Sequence, residues 1–400
     1  MHGRTDAAQG VGAVSFALLS SIAFAQESAS PAREVRVSTT AELRSALAAA
    51  APGTRIAIAA GEYEGFEAPN LKGTQTQPIA LSAADAKAPP VFRGGVHLAD
   101  CCYLEISGLI FDRAPSNGLN IDDGGAFETP AHHITLRDVT VRDCGGRGND
   151  DGIKLSGVDD FVLERCTVER WGRGGSAIDM VGCHRGVIES CTFRDSEEKA
   201  AATGVQTKGG SRDIAIRRCR FEHAGERAVN IGGSTGLDYF RPKPEGFEAK
   251  DITVEGCTFI GSMAPIAFVG IDGASVRFNT FYRPTKWCLR ILQETREPGF
   301  VACRGGKFTD NLIAYRASEV STHVNVGPDT APATFEFARN YWFCIDEPAR
   351  ARPQLPVAEK DSAGGADPLF RDAEHGDLSL ADKSPARSFG AQALPATTKR

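Results

Sequence analysis

Seven short segments of this chain share one form, a polar residue between two mostly apolar ones: Leu119-Asn120-Ile121, Ile153-Lys154-Leu155, Ile178-Asp179-Met180, Val205-Gln206-Thr207, Val229-Asn230-Ile231, Leu289-Arg290-Ile291 and Val324-Asn325-Val326. The central residues are amides, a carboxylate and cations, the types that read sugar hydroxyls and carboxylates by directed hydrogen bonds. Asp122 and Lys208 stand two positions beyond their segment centres, and Asp150, Asp151 and Arg227 just before theirs. Lysine and carboxylate side chains in such a set can move protons. An insertion of about ten residues after Ser234 brings Tyr239, Phe240 and Arg241 beside them, and a long loop on a regular scaffold is a usual carrier of function. Aromatic faces beside hydroxyl-reading groups suit a carbohydrate. The structural alternative is a stack of polar residues that pair only with one another.

A repeated scaffold must bring these centres together. Between Leu104 and Tyr341 a small residue recurs in one local pattern, at Leu109, Val139, Cys166, Cys191, Cys219, Cys257, Asn279, Asn311 and Asn340. Repetition at a period of 20 to 50 residues is the mark of a solenoid. The units alternate apolar and polar residues with period two, as in Ile134-Thr135-Leu136 and Ile252-Thr253-Val254, and are rich in β-branched types, so they read as strands. No helical stripe runs through residues 100–345, and the leucine-rich consensus is missing. The expected fold is all-β, a parallel β-helix. The Cys and Asn column then fills a narrow inward corner, where Asn can bond to its counterpart one coil away and free Cys is a small apolar filler.

Composition and ends set further bounds. A formal net charge of −6 with 24% charged residues argues against nucleic acid or an anionic membrane as the main partner. His2 and Arg4, the apolar run from Val11 to Phe24, and Ala23-Phe24-Ala25 read as a secretory signal, residues 1–25, and hence a secreted or periplasmic protein; the run is too short for a membrane span. Residues 35–345 are expected to form one β-helix domain, residues 346–400 a C-terminal capping segment, and the chain a monomer. Thr39 with Glu42, followed by Leu43, Ala46, Leu47 and Ala50, predicts a capped helix lidding the first coil. Among the eleven cysteines, Cys288 and Cys303 lie outside the corner column and form the disulfide pair to test. No zinc spacing occurs. His323, beside Asn325, is the histidine to watch. Asp122, Asp123, Asp150 and Asp151 are the calcium candidates, and no residue is assigned to a metal.

The chain resembles secreted right-handed parallel β-helix proteins of the pectin-lyase-like group. Val37-Ser-Thr-Thr-Ala-Glu-Leu43, Gly61-Glu-Tyr63 and Gln77-Pro78-Ile79 are similar to the N-terminal coils of the chondroitinase B and alginate lyase family. Ala366-Asp-Pro-Leu-Phe370 with Ser384-Pro-Ala386 is similar to the closing segment of many bacterial β-helix proteins. The resemblance implies right-handedness and β-elimination on a uronate, in which a cation neutralises the carboxylate and a lysine takes the C5 proton. Lys208 falls where that family's lysine stands. Asn230 and Gly232 occupy the coil where it carries an Arg-His pair, and Ala201 and Thr203 replace its acidic calcium ligands. Asn149-Asp150-Asp151-Gly152-Ile153 resembles a polygalacturonase segment that supplies one catalytic carboxylate, with Ser176 where a partner carboxylate would stand.

Three functions follow. The first is a polysaccharide lyase with Lys208 or Lys154 as base, Arg227 or Arg290 as carboxylate clamp, and Asn120, Gln206, Asn230, Tyr239, Phe240 and Arg241 contacting the polysaccharide. The second is a glycosidase using Asp151 and Asp179. The third is a non-catalytic glycan-binding protein on the same rod.

Overall fold

The computed structural model describes residues 33–395, apart from Arg147, Lys199 and Glu245. The segment read as a secretory signal lies outside them. A complete coil contributes one strand to each of three sheets, as in Cys102–Ser107, Ile110–Asp112 and Leu119–Asp122, followed one coil on by Ala131–Arg137, Thr140–Arg142 and Ile153–Ser156. Strand pairing between coils is parallel throughout. Among the described residues the first and second sheets have twelve strands and the third has nine, from Val96–Ala99 to Val324–Val326. The apolar residue of each alternation points inward and disappears from solvent, which is what stacks the coils.

Inward columns continue from coil to coil. In the second sheet, Phe193, Phe221, Phe259 and Phe281 lie in register, their ring centroids 4.9, 4.6 and 4.8 Å apart. The strand repeat sets that spacing, and offset stacking of aromatic rings tolerates it.

The corner between the first and second sheets is tight. A residue in the left-handed region precedes each small residue: Arg165 at φ 52°, Ser190 at 56°, Arg218 at 51° and Phe278 at 52°. The small side chain turns inward. Cys166 N–H donates to Cys191 Sγ at 3.3 Å, and Cys219 N–H to Cys257 Sγ at 3.4 Å. From Cys257 on, the column becomes an amide ladder: Asn279 Nδ2 and N donate to Asn311 Oδ1, and Asn311 Nδ2 and N to Asn340 Oδ1, all at 2.9 to 3.1 Å.

The cysteine pair singled out for testing, Cys288 and Cys303, is not bonded. All eleven cysteines are free. Cys288 precedes the third-sheet strand Leu289–Leu292 and Cys303 follows it, so a whole strand separates them. Cys303 Sγ instead lies 3.5 Å from the Phe268 carbonyl.

The helix Thr40–Ala48 sits at the N-terminal end, with Thr39 accepting from Glu42 N–H and Leu43, Ala46 and Leu47 buried. Preceding it is a strand that the sequence reading missed, Arg33–Val37, paired with Thr54–Ile58. At the other end the chain does more than cover the last coil. Gly376, Gly390 and Ala391 bond back to Arg220, Asp310 and Thr280, so the C-terminal segment runs along the outside of the second sheet. The outward column there explains why. It reads Arg93, Asp112, Arg142, Glu169, Arg194 and Glu222, then Ile260, Tyr282, Ala314 and Phe343. Charge gives way to apolar surface, which Phe370, Leu380, Ala386 and Phe389 cover.

Candidate functional site

The outer face of the first sheet and the charged part of the second neutralise themselves. Arg137 pairs with Glu164, Arg217 with Glu189, and Arg277 with Glu255 on the first; Arg93 and Arg142 flank Asp112 on the second. The third sheet differs. Its outward column runs His97, Asn120, Lys154, Asp179, Gln206, Asn230, Ala267, Arg290 and Asn325 in continuous register. Seven of these are the segment centres read from sequence. His97 was missed although Val96-His97-Leu98 has the same form, and Ala267 carries no polar residue to reveal its coil.

Four charged side chains converge at the middle of this column. Lys154 Nζ donates to Asp179 Oδ2 and lies 3.7 Å from Asp151 Oδ2. Lys208 Nζ reaches the same Asp179 oxygen at 3.3 Å. Asp151 Oδ1 accepts from Ser176 N–H at 2.7 Å, and its own N–H donates to Asn117 Oδ1 at 2.7 Å. Asp151 and Asp179 are 2% and 1% exposed. Burial, with the Asp179 charge adding to it, pushes the Asp151 carboxyl up to about 7. Lys154 moves the other way. Burial opposes its charge, but the Asp179 and Asp151 carboxylates outweigh it and hold the ammonium above its usual range. These are the terms that separate groups in a shared low-dielectric site.

Gln206 lies next in the column, Oε1 accepting from Ser176 Oγ at 3.3 Å. Asn230 is buried, Oδ1 accepting from Arg227 at 3.2 Å. Arg227 aligns with Thr203 and pairs with Glu294 at 2.9 Å. Lys208 is at the far end of the Thr203–Lys208 strand, roughly 16 Å away at the rise of extended chain. Both side chains turn back toward the middle of the column, Arg227 to Asn230 and Lys208 to Asp179, residues one coil to either side of Gln206. Arg290 lies beyond Ala267, its Nε donating to Asn325 at 3.0 Å and its guanidinium 4.4 Å from the Trp287 ring centroid. Ala267, Val269 and Leu292 form a buried apolar cluster between the two halves, so the strip is divided rather than continuous.

The insertion also divides. Tyr239 is 68% exposed and open to a ligand. Phe240 and Arg241 are buried, which corrects their assignment as sugar contacts. Arg241 is the bolt of the loop: it pairs with Asp159 at 2.7 Å and donates to the carbonyls of Gly182 and Phe127. Burial raises the Asp159 carboxyl, but hydrogen bonds from His184 and Arg241 prevail and hold it well below the usual range. Phe127, 47% exposed on the loop that Arg241 ties to Tyr239's, was not foreseen, since no repeat pattern marks it. Asn120 donates to Asp122 at 3.0 Å, and His97 lies 2.6 Å from the same oxygen.

The calcium candidates do not converge. Asp122 is taken by His97 and Asn120, Asp123 accepts from Gly125 N–H at 2.9 Å, and Asp151 accepts from Ser176. Among the described residues no three His, Cys, Asp or Glu side chains gather as a metal would require. His323 is not on the strip. It packs edge-on against Tyr315 and Trp342, accepts from Gln354 N–H, and burial lowers its pKa to about 4.

A family model described as "Right handed beta helix region" matches residues 94–281. The chain is a right-handed parallel β-helix. No curated protein matches it in sequence. In structure it is similar to an alginate lyase from Paenibacillus sp. str. FPU-7, at 18% identity and TM-score 0.50, over 74% of this chain and 96% of that one. It is similar to pectate lyase Pel9A at 13% identity and TM-score 0.53, over 92% and 90%. A rhamnogalacturonan lyase aligns at 14% identity and TM-score 0.54, over 88% and 94%. At these identities the likeness is one of fold. Among the described residues no helix is long and apolar enough to cross a membrane.

Proposed function

We propose that this chain is an exported polysaccharide lyase that cleaves a uronate-containing glycan on the outer face of the third sheet, with Lys208 as base. The observation that carries the reading is the pair of lysines on one oxygen of Asp179. Once Asp151 is protonated, two ammoniums face a single carboxylate, an excess of positive charge that suits an anionic sugar. The roles of the lysines separate by geometry. Lys154 is held between Asp179 and Asp151, so it stays charged and neutralises the uronate carboxylate, which acidifies the C5 proton. Lys208 has the longer contact to Asp179; it first gives its own proton to solvent and then, as a neutral amine, takes the C5 proton. The C5 electron pair then forms the C4–C5 double bond as the C4–O bond breaks, and the leaving oxygen takes a proton from solvent. Gln206 and Asn120 contact hydroxyls, and Tyr239 and Phe127 offer sugar-stacking faces at the rim.

The test is incubation with alginate, pectate and glycosaminoglycans, reading the absorbance of unsaturated ends. Product from the wild type and loss of at least a hundredfold in kcat on Lys208→Ala is the expected result. Absence of unsaturated product on every substrate would sink the lyase reading. One observation favours a second reading: Asp151 is raised beside Asp179, the split expected of a hydrolase's acid and its partner. Both carboxyls are buried, and Asp151 is already bonded to protein donors, which is why the lyase is preferred. Saturated reducing ends would reverse that choice.

A further inference from the structure

Glu248 is 0% exposed, lies outside the charged cluster, and takes no part in the chemistry proposed above. Its carboxylate is saturated by neutral donors. Oε2 accepts from Gly209 N–H and Thr235 Oγ1, each at 2.8 Å. Oε1 accepts from Thr235 N–H at 2.9 Å and from Thr295 Oγ1. A carboxylate has about four acceptor sites, and all four are used. The surrounding backbone makes room for it: a Cβ on Gly270, at φ 65°, would lie 3.3 Å from Glu248 Cγ, and one on Gly232, at φ 97°, 3.4 Å from its Cβ.

The four bonds reach three separate segments. Gly209 directly follows Lys208. Thr235 opens the insertion that carries Tyr239. Thr295 directly follows Glu294, whose carboxylate holds Arg227. Burying a charge is expensive unless it is well solvated by fixed donors, and an apolar residue would anchor loops without that expense. The distinctive property of this carboxylate is that it fixes, from one point, the backbone beside both basic groups at the two ends of the strands.

We propose that Glu248 is a positioning residue that sets the place of Lys208 and couples it to the Arg227–Glu294 pair. This rests on the lyase reading for the role of Lys208, but not for its placement. Glu248→Gln keeps the size and replaces one acceptor oxygen by an amide NH2 that faces two of the four donors, so the pocket must rearrange. Glu248→Asp keeps the charge but is one methylene too short to reach all three segments.

The experiment measures two properties of the full chain for wild type, Glu248→Gln and Glu248→Asp. One is kcat and its pH profile per folded molecule on whichever polyuronate the wild type cleaves. The other is the rate at which an amine-acylating reagent labels Lys208 across pH, read by mass spectrometry, with exposed Lys286 as internal control. Displacement of about 1 Å in a reacting group can cost a hundredfold, so Glu248→Gln is expected to lower kcat about that much and to shift the Lys208 labelling profile, with Lys286 unchanged and Glu248→Asp intermediate. A merely structural role would lower the melting temperature and leave kcat per folded molecule and Lys208 labelling as in the wild type, which overturns the proposal. If the wild type makes no product while Lys208 labelling shifts in Glu248→Gln, the lyase reading falls and the positioning role stands. If labelling does not shift and the wild type is active with unchanged kcat in the variant, the reverse holds. Should Glu248→Gln fail to fold, Thr295→Val, which removes one donor, supplies the same two readouts.

Discussion

Asp179 Oδ2 accepts from Lys154 and lies 3.3 Å from Lys208 Nζ, while Oδ1 is buried with no donor among the described residues. Its neighbour Asp151 adjusts by holding a proton. Burial and the Asp179 charge place the Asp151 carboxyl at about 7, whereas an unfolded chain gives Asp up near pH 4. Between those values the native chain keeps a proton that the unfolded chain has lost, so stability falls as pH rises through this window and levels off above it. Asp151→Asn mimics the protonated form and still accepts from Ser176. Urea midpoints from pH 4.5 to 8 should fall less steeply in the variant than in the wild type; equal slopes would show that Asp151 does not titrate there. Little of this was legible in the sequence. The alternation put Lys154 and Asp179 on one face, but pairing depends on which coils are adjacent and where a flexible lysine reaches. The burial of Arg241 was equally hidden, because an arginine in a polar loop reads as exposed.

The corner column is the element best read in advance. A tight inward bend admits few side chains, so small residues recur there and the register shows in the sequence. What the pattern lacked was coils without its signature: Ile266-Ala267-Phe268 has no polar centre, and Arg33–Val37 precedes the first recognisable unit. The amide part of the ladder has a measurable worth. Asn311 Oδ1 accepts from Asn279 N–H, and its Nδ2 donates to the Val276 carbonyl at 3.0 Å. Asn311→Ala would strand both groups in the interior, at a cost of about 2–4 kcal/mol. Chemical denaturation at neutral pH measures it, and a loss below about 0.5 kcal/mol would mean water or a backbone shift replaces the amide.

At the scale of the molecule, the three outer faces have three fates. One is self-neutralised, one is partly charged and partly covered by the returning C-terminal segment, and one carries the lysine cluster. The cover was not foreseen because the sequence after residue 345 has no periodicity of its own; its reason lies in Ile260, Tyr282, Ala314 and Phe343, far upstream. Removing residues from Asp367 onward should therefore leave the coils folded but expose a contiguous apolar strip, a surface prone to self-association. Light scattering of the truncated chain should rise with concentration, and a monodisperse monomer would argue that the segment covers nothing of consequence.

The buried sulfur atoms, inside the corner column and outside it, bear on how such a chain would fare in an oxidising environment. Burial pushes the thiols of Cys101, Cys144, Cys183 and Cys303 up to between about 11 and about 12, and only the thiolate attacks a disulfide or an oxidant. Ten of the eleven cysteines are buried and Cys102 alone is partly exposed. Folding thus removes nearly all the thiols from exchange without spending any on cross-links. Alkylation of the native chain should modify at most one cysteine, and mass spectrometry should find it at Cys102. Labelling at several sites would mean that the coils open on the timescale of the reagent. If the chain is exported as proposed, burial in the folded coils would let it carry many cysteines through a compartment where exposed ones mispair.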